Sequence, residues 1–329
     1  SGENDADGVS VGSGNIVLPG SSTIEDLAGN TAILSHSGMN TNSGYMVDTI
    51  APTEVSTGID NVTTTGIQNN FLNAGDVLSL KSNFSETVLK ESASLTYKIV
   101  VGSDNKTATY SSGTNSGNLT FQYQIQAGDN DTDGISIDQN NIIGTITDLA
   151  GNIASDVTIN ALPDNSSYKV DTTAPSVDNF TMSDTALKIG DNATVTLIFS
   201  EQICPDTGSC AVTFTNSDID VPDVTGTSTD TGTLSTLATT DNVSWTGTFI
   251  PTDNIEDATN RLSLGTNYTD LAGNNGLAEQ TANYEVDTIR PTVDNFTMSD
   301  TELKIGDNAT VTITFSETVT NFPNTDITI

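Results

Sequence analysis

Three short phrases recur along the chain in a fixed order, and this repetition constrains the fold more than any other feature. They are Asp-Leu-Ala-Gly-Asn, Val-Asp-Thr-x-x-Pro and Phe-Ser-Glu. The first phrase returns every 122 residues, which is the size of an independent domain and too long for one coil of a solenoid. The phrases begin at Asp26, Asp148 and Asp270, at Val47, Val170 and Val286, and at Phe84, Phe199 and Phe315.

The order of the phrases predicts two complete repeats. They are preceded by the C-terminal part of another repeat and followed by the N-terminal part of a further one, so we expect this chain to be a piece of a longer protein. Residues 292–317 nearly copy residues 176–201, which supports the same division. The predicted domains are 1–48, 49–171, 172–287 and 288–329.

The pattern of apolar residues predicts an all-β chain. Short alternating runs such as 193–199 and 243–250 are separated by Gly, Asn and Asp, and no stretch keeps a 3.6-residue period. About seven such runs in about 100 residues are typical of a β-sandwich. The only tryptophan, Trp245, is predicted to lie in a core. Disorder is the alternative for so polar a chain, and the regular alternation argues against it.

The links between repeats are short and each contains a proline. Pro52, Pro175 and Pro291 follow the preceding strand almost at once. Proline fixes its own φ and biases the residue before it toward extended backbone. We therefore expect successive sandwiches to be joined end to end in an extended rod.

The charge of the chain excludes several kinds of partner. Nine Lys and Arg residues face 43 Asp and Glu residues, which gives a net charge of −34. Such a charge repels nucleic acids and anionic membranes. No apolar run is long enough to cross a membrane, so no membrane insertion is expected in this segment. The acids recur at matching places in each repeat, which favours bound cations.

The two cysteines suggest an oxidising environment. Cys204 and Cys210 are separated by five turn-forming residues, which favours a disulfide that closes a small loop, although two free thiols are the alternative. A disulfide would place the chain outside the cytosol. Two cysteines without a nearby histidine do not make an ordinary zinc site.

Catalytic motifs are missing from the sequence. The single histidine, His36, lies in a loop-like segment and is not repeated. There is no nucleophile elbow, no phosphate-binding Gly-rich loop with lysine and no histidine pair. We expect no enzymatic activity. Another possible role, as an accessory to a polysaccharide-active enzyme, would need a catalytic domain elsewhere.

The repeated acids are candidates for calcium ligands. Calcium takes six to eight oxygens from carboxylates, amide side chains and carbonyls. We expect the linker Asp, the Phe-Ser-Glu glutamate and the Asp of Asp-Leu-Ala-Gly-Asn to meet where repeats join. The alternative is that Asp-Leu-Ala-Gly-Asn is only a tight turn with a left-handed glycine. The predicted ligands are Asp48, Glu86 and Asp148 at the first junction, Asp171, Glu201 and Asp270 at the second, and Asp287 and Glu317 at the third.

A second candidate for calcium is the run Asp129-Asn130-Asp131-Thr132-Asp133-Gly134. It spaces three carboxylates around a turn that the glycine permits, as at the start of an EF-hand loop. The glutamate expected at loop position twelve is replaced by Asn140, so the run is not an EF-hand. A solvated acidic turn is the alternative to calcium ligation by Asp129, Asp131 and Asp133.

The phrases resemble the bacterial Ig-like repeats of giant cell-surface adhesins. The resemblance rests on Val-Asp-Thr-x-Ala-Pro, on Leu-Lys-Ile-Gly-Asp-x-Ala-Thr-Val-Thr-x-x-Phe-Ser-Glu and on Tyr-Thr-Asp-Leu-Ala-Gly-Asn, and it covers nearly the whole chain. It implies tandem Ig-like β-sandwich domains, export by type I secretion and calcium at the junctions that stiffens the rod. Cysteines are not usual in such adhesins, and Cys204 and Cys210 depart from that pattern.

These observations together predict a structural or adhesive segment of a long extracellular bacterial surface protein. Its partners would be the neighbouring repeats of the same chain and a receptor that the sequence does not identify. The alternative is a subunit of an extracellular fibre or surface sheath, in which such domains associate with one another, for example by exchanging strands.

Overall fold

A computed structural model describes residues 3–55, 62–137, 142–154, 163–205 and 210–328. In these ranges the regular structure is β-strand, with two short 3-10 helices at Asn216–Asp218 and Asn324–Asp326. The all-β sandwich class is therefore confirmed. The described residues include no helix long and apolar enough to cross a membrane.

Contacts divide the chain into two compact units, which we call the first half (Ser1–Thr173) and the second half (Ala174–Ile329). The finer division into 1–48, 49–171, 172–287 and 288–329 stays a prediction.

Strands form the framework of the first half. Most of them belong to one seven-stranded sheet in the order β10-β5-β8-β7-β6-β9, with β3 paired to β5. Two small sheets, the antiparallel pair β1-β2 and the parallel pair β4-β11, complete the described structure. The strands are β1 (Val9–Val11), β2 (Met39–Asn42), β3 (Val62–Thr65), β4 (Phe71–Leu72), β5 (Val77–Lys90), β6 (Thr96–Val101), β7 (Asp104–Ser112), β8 (Ser116–Gln124), β9 (Ile142–Ile143), β10 (Ile146–Asp148) and β11 (Lys169–Val170).

Strand β5 organises the core of the first half. Its apolar residues Leu78, Leu80 and Phe84 alternate with polar ones, and this period of two turns the apolar side chains to one face. They pack with Phe121 of β8 and Ile99 of β6 in one apolar cluster. The alternation that predicted strands in this region is therefore also what builds the core.

The second half consists of smaller sheets. Strand β14 lies between β12 and β18, and β16 and β17 also pair with β18. Two three-stranded sheets, β13-β22-β19 and β15-β20-β21, and the pair β23-β24 make up the rest. The strands are β12 (Val177–Met182), β13 (Ala186–Lys188), β14 (Ala193–Phe199), β15 (Ile219–Asp220), β16 (Gly232–Leu234), β17 (Ala238–Thr239), β18 (Ser244–Pro251), β19 (Glu256–Asn260), β20 (Ser263–Leu264), β21 (Glu279–Gln280), β22 (Tyr284–Asp287), β23 (Val293–Met298) and β24 (Val311–Phe315).

Aromatic side chains fill the core of the second half. The ring of Phe214 lies 4.8 Å from that of Trp245 and 5.5 Å from that of Phe199, measured between centroids. Phe249 and Tyr284 form a further edge-to-face pair. Trp245 is buried, as the sequence predicted.

Candidate metal centre

The Asp-Leu-Ala-Gly-Asn phrase forms a tight turn at the end of β10. Gly151 has φ +94°, a left-handed conformation that glycine adopts readily. The Asp148 carboxylate accepts hydrogen bonds from the backbone N–H of Asn152 (2.8 Å) and from its Nδ2 (2.7 Å). Asp148 is only 1 % exposed. The phrase therefore orients a buried carboxylate through its own asparagine.

The other two copies of the phrase form the same turn. Oδ1 of Asp26 accepts from the Asn30 N–H (2.8 Å) and Oδ2 from Asn30 Nδ2 (2.8 Å). In the second half, Asp270 accepts from the N–H (2.9 Å) and Nδ2 (2.8 Å) of Asn274. The tight-turn interpretation is thus what the structure shows, and metal binding would be an addition to it.

Glu86 lies on β5 where the strand is irregular. The pairing of β5 with β8 shifts register between Asn83 and Val88, and such a bulge re-aims the side chains within it. Just before Glu86, Ser85 is bonded to Thr53: the Ser85 N–H donates to the Thr53 carbonyl (2.8 Å) and the Thr53 N–H to Ser85 Oγ (3.0 Å). This exchange fastens the chain after the linker to the strand that carries Glu86.

Asp48 belongs to the Val-Asp-Thr linker. Its Oδ1 accepts a hydrogen bond from the Ile50 N–H (3.0 Å), which closes a small turn. The next residue, Thr49, donates its N–H to Asn4 Oδ1 (3.1 Å) and its hydroxyl to the Glu3 carbonyl (2.9 Å). The linker is therefore also hydrogen-bonded to Glu3 and Asn4, which precede it in the chain.

These three elements bring Asp48, Glu86 and Asp148 together. Each offers one carboxylate oxygen, and the three oxygens all lie within 4.8 Å of one another. A cleft of 550 Å³ is lined by Asp48 and Glu86 and by residues of the Asp148 turn. Asn152 Nδ2 also donates to the Asp48 carbonyl (3.0 Å), so one side chain joins the turn to the linker.

The electrostatics of this cluster favour a bound cation. Burial, then the charges of Asp48 and Asp148, raise the pKa of Glu86. Burial acts in the same direction on Asp148, but the hydrogen bonds from Asn152 outweigh it and hold the pKa of Asp148 below its usual value. Among the described residues, ion pairs are formed by Lys106 and Lys188 only, and neither reaches this cluster.

The second half repeats part of this arrangement. Glu201 and Asp270 offer carboxylate oxygens within 4.8 Å of each other, and Asp270 is 1 % exposed. The predicted third ligand, Asp171, belongs to the first half, where its Oδ1 accepts from the Thr173 N–H (2.9 Å). Its participation stays a prediction from the sequence.

The third predicted pair lies wholly within the second half. Asp287 ends β22 and accepts from the Ile289 N–H (3.2 Å), as in the other linkers. Glu317 follows β24, and among the described residues its Oε1 is a buried oxygen without a hydrogen-bond partner. Whether the two share a cation stays a prediction.

The Asp129–Asp133 turn holds its carboxylates with donors from the protein. Asp129 forms an ion pair with Lys106 (2.8 Å) and accepts from the Tyr123 hydroxyl (2.6 Å). Asp131 accepts from the N–H groups of Gly102 and Gly134, both at 2.7 Å. Among the described residues, these three acids do not form a group whose carboxylate oxygens all lie within 4.8 Å of one another. Calcium at Asp129, Asp131 and Asp133 stays a prediction, and protein donors already occupy the oxygens of Asp129 and Asp131.

The turn also has a structural role that the sequence analysis missed. The Thr172 N–H donates to Asn130 Oδ1 (3.0 Å) and the Thr172 hydroxyl to the Asp129 carbonyl (3.0 Å). Thr49 makes the same two bonds to Asn4 and Glu3. The repetition of Thr after Asp in every linker was the available signal for this anchor.

Serine in the Phe-Ser-Glu phrase was missed in the same way. In the second half, the Ser200 N–H donates to the Ser176 carbonyl (2.9 Å) and the Ser176 N–H to Ser200 Oγ (3.0 Å). Ser316 and Thr292 exchange the equivalent bonds at 2.9 Å. The phrase thus combines a glutamate that is a candidate cation ligand with a serine that hydrogen-bonds to the linker.

Cys204 and Cys210 are joined by a disulfide in the second half. Their Cα atoms are 6.3 Å apart, within the usual range, and Cys204 is fully buried. The residues between Pro205 and Cys210 lie outside the described ranges.

Comparison with known proteins identifies a domain family in part of the chain. Residues 171–286 and 287–329 match the sequence model of a family described as the bacterial Ig-like domain. For these residues the predicted resemblance is therefore confirmed at the level of this domain family. No curated protein matches the chain.

Two solved structures show distant likeness. One is SGBP-B of the mixed-linkage glucan utilization locus of Bacteroides ovatus, in complex with a mixed-linkage heptasaccharide. It is 12% identical over 87% of this chain and 57% of that chain, with a TM-score of 0.16. The other is dimeric latent PorU of Porphyromonas gingivalis, 11% identical over 86% of this chain and 28% of that chain, with a TM-score of 0.20. The chain thus spans less than two thirds of either protein.

Proposed function

We propose that the chain is a non-catalytic structural segment of a bacterial surface protein, in which calcium fixes each Val-Asp-Thr linker to the sandwich that follows. The observation that carries this proposal is the meeting of Asp48, Glu86 and Asp148, one acid from each repeated phrase, within 4.8 Å. Three negative charges at this separation repel one another in the absence of a cation. A bound cation reverses the sign of that interaction.

Calcium suits these ligands better than other common metals. All three side chains offer hard oxygen donors, and neither histidine nor cysteine is among them. Magnesium demands a smaller and more regular octahedron, whereas calcium accepts irregular sets of carboxylates, carbonyls and water. A chain with a net charge of −34 also attracts divalent cations in general.

The role of the cation would be mechanical. Asp48 lies in the linker, whereas Glu86 and Asp148 lie in the sandwich that follows, so a shared ion immobilises the linker on that sandwich. Repetition along a longer protein would produce a stiff spacer that holds other parts away from the cell. The family match and the Cys204–Cys210 disulfide support an extracellular location.

A melting experiment tests the proposal. The full chain is unfolded by heat in calcium and in excess chelator, and calcium is expected to raise the melting temperature by several degrees. Asp48→Asn keeps an oxygen for the Ile50 N–H but removes the charge, and it should abolish the gain in the first half. The matched control is Asp184→Asn, because Asp184 accepts from the Ala186 N–H in the same kind of turn.

Scattering in solution tests the mechanical role. Calcium should reduce the conformational spread of the full chain, measured by small-angle X-ray scattering with and without chelator. Identical scattering profiles together with identical melting curves would reject the proposal. A calcium-dependent melting temperature with unchanged scattering would keep the metal site and reject the stiffening.

A further inference from the structure

The two halves hold their paired acids by different means. In the first half, β5 continues past Glu86, and its residues 88–90 form an antiparallel ladder with Ile146–Asp148 of β10. A paired strand fixes its register and the face to which each side chain points. Three successive residue pairs therefore hold Asp148 in place beside the strand that carries Glu86.

The second half lacks most of this ladder. Strand β14 ends two residues before Glu201. Among the described residues, the pairing that corresponds to the ladder is a single bridge between Ile203 and Asp270. One backbone hydrogen bond accompanies it, from the Cys204 N–H to the Thr269 carbonyl (2.9 Å). Strand pairing alone therefore restrains Glu201 and Asp270 less than it restrains their counterparts in the first half.

A disulfide lies where the ladder is missing. Cys204 is fully buried, and its sulfur is bonded to that of Cys210. The segment that follows Cys210 returns to the same place. Its Phe214 N–H donates to the Cys204 carbonyl (2.8 Å), and its Val212 carbonyl accepts from the Thr269 hydroxyl (2.7 Å). One covalent bond and three hydrogen bonds thus join the two cysteines to Thr269.

This network reaches both candidate ligands of the second half. Thr269 directly precedes Asp270 and is itself buried. Cys204 follows Glu201 by three residues. The disulfide therefore ties together the two stretches of backbone that carry the acids. Residues 49–171 contain the ladder and no cysteine, so each half has one of the two devices.

We propose that the Cys204–Cys210 disulfide positions Glu201 and Asp270 for a cation, in place of the strand ladder of the first half. This inference rests on the proposed function, because it concerns the second-half pair of acids as a calcium site. The cysteines are not ligands themselves, and they act through the backbone next to the two acids. Removal of groups that only orient metal ligands weakens metal binding by about 10- to 100-fold.

Positioning must be separated from general stabilisation. A disulfide also stabilises a fold by restricting the unfolded chain, and that effect does not depend on calcium. Positioning changes the calcium affinity of the folded chain. General stabilisation changes the free energy of unfolding in chelator and leaves the calcium affinity as it was.

Calcium titration of Cys210→Ser tests the inference. This variant opens the disulfide and leaves the buried Cys204 side chain in place. Isothermal calorimetry of the metal-free full chain should show one calcium site that is at least about tenfold weaker than in the wild type. Ala211→Ser is the matched control, because it places a serine at the next position and keeps the disulfide, and it should bind as the wild type does. Equal affinities in Cys210→Ser and the wild type overturn the inference.

Two background variants assign the weakened site. In Glu86→Gln, where the first-half site is removed, addition of Cys210→Ser should weaken the calcium binding that remains. In Asp270→Asn, addition of Cys210→Ser should leave the calcium affinity unchanged. The reverse pattern overturns the inference. If Glu86→Gln and Asp270→Asn both bind as many calcium ions as the wild type, the proposed function fails and the inference fails with it.

A second variant covers the case in which Cys210→Ser does not fold, which the fluorescence of Trp245 in the second half reports. Thr269→Val removes the hydroxyl that donates to Val212 and keeps the disulfide and the shape of the side chain. It should weaken calcium binding at the second-half site several-fold. A lower melting temperature in chelator with unchanged calcium affinity would mean that this network only stabilises the fold, and it would overturn the inference.

Discussion

The turns at Asp26 and Asp148 have the same sequence and the same internal hydrogen bonds, but only one of them belongs to a cluster of acids. In both, the asparagine N–H and Nδ2 bind the aspartate at 2.7–2.8 Å. Asp148 is buried at 1 % exposure and meets Glu86 and Asp48, whereas Asp26 is exposed. Five residues encode the turn, and the surrounding sandwich makes it a candidate metal site.

The aspartate of this phrase therefore has different surroundings in the two turns, and its pKa has different causes. Hydrogen bonds from Asn30 lower the pKa of Asp26 in the open turn, so local bonding alone keeps that carboxylate charged. At Asp148 the same kind of bonds must also overcome burial. At Asp148 this leaves a charged carboxylate beside Glu86 and Asp48, which is the arrangement that we propose for a cation.

The largest effect is expected from removing the buried aspartate. Asp148→Ala takes away the proposed calcium ligand and removes the carboxylate that accepts from the N–H and Nδ2 of the half-buried Asn152. We expect the stabilisation of the chain by calcium to fall by about 3 kcal/mol. The free energy of unfolding in chelator should also fall, by roughly 1–3 kcal/mol. Asp26→Ala is the control and should change neither quantity by more than about 1 kcal/mol. Chemical denaturation with and without calcium measures both, and equal losses in the two variants would contradict the comparison.

A change of opposite sign in calcium and in chelator is expected for Glu86→Gln. Without calcium, the substitution removes repulsion among three acids, so the first half should melt at a slightly higher temperature. With calcium, it removes a ligand and should abolish the gain. The fluorescence of Trp245 reports the second half and serves as an internal control, because its transition should not change. A lower melting temperature in chelator would count against the repulsion.

Loss of the Asn152 side chain should have an intermediate effect. Its Nδ2 donates to Asp148 and to the carbonyl of Asp48, so Asn152→Ala loosens both the ligand and the linker. We expect a cost of about 1 kcal/mol and a several-fold weaker calcium affinity. In Asn30→Ala only the open turn is affected, and calcium affinity should stay unchanged. Equal calcium affinities in both variants would show that Asn152 does not position the site.

The smallest effect is expected from pH. In the calcium-free chain, Glu86 has a raised pKa, so its protonated form stabilises the folded state. This contribution is complete below the ordinary pKa of glutamate and is lost as the pH rises through the raised pKa. The lowered pKa of Asp148 makes a contribution that is present above its ordinary pKa and is lost as the pH falls through the lowered one. As the pH falls from neutral toward the raised pKa of Glu86, the first change comes first, and calcium affinity falls because protons compete for Glu86.

Melting curves across this pH range test the prediction. The calcium-dependent gain should shrink as the pH falls, and the calcium-free melting temperature of Glu86→Gln should respond less to pH than that of the wild type. A calcium gain that stays constant as the pH is lowered through the ordinary pKa of glutamate would exclude Glu86 as a ligand.

Local features of the molecule could be predicted from the sequence. The turn at Asp148 depends on five consecutive residues, and strand β14 depends on a strict alternation of apolar and polar residues. Strand β7 was not predicted, because Asp104–Ser112 is mostly polar and only Ala108 within it is fully buried. Residues 211–214 also have a strand-like sequence, but they form no strand, since Phe214 makes a single bridge to Pro205.

Contacts between distant segments could be predicted only in part. Repetition of the three phrases suggested that their acids meet, but the bulge beside Glu86 has no signal in the sequence. The ion pair between Lys106 and Asp129 was likewise missed, because it joins β7, which was not predicted, to a turn that was read as a calcium loop. Contacts between segments that are distant in sequence decide which carboxylates accept hydrogen bonds or ion pairs from the protein.

Calcium titration of the metal-free chain by isothermal calorimetry tests the central claim most directly. Wild type, Glu86→Gln and the exposed control Glu302→Gln are compared under the same conditions. We predict that Glu86→Gln binds one calcium ion fewer per chain than the wild type, and that Glu302→Gln binds the same number. Equal stoichiometry and affinity in all three proteins would contradict a calcium site at Asp48, Glu86 and Asp148.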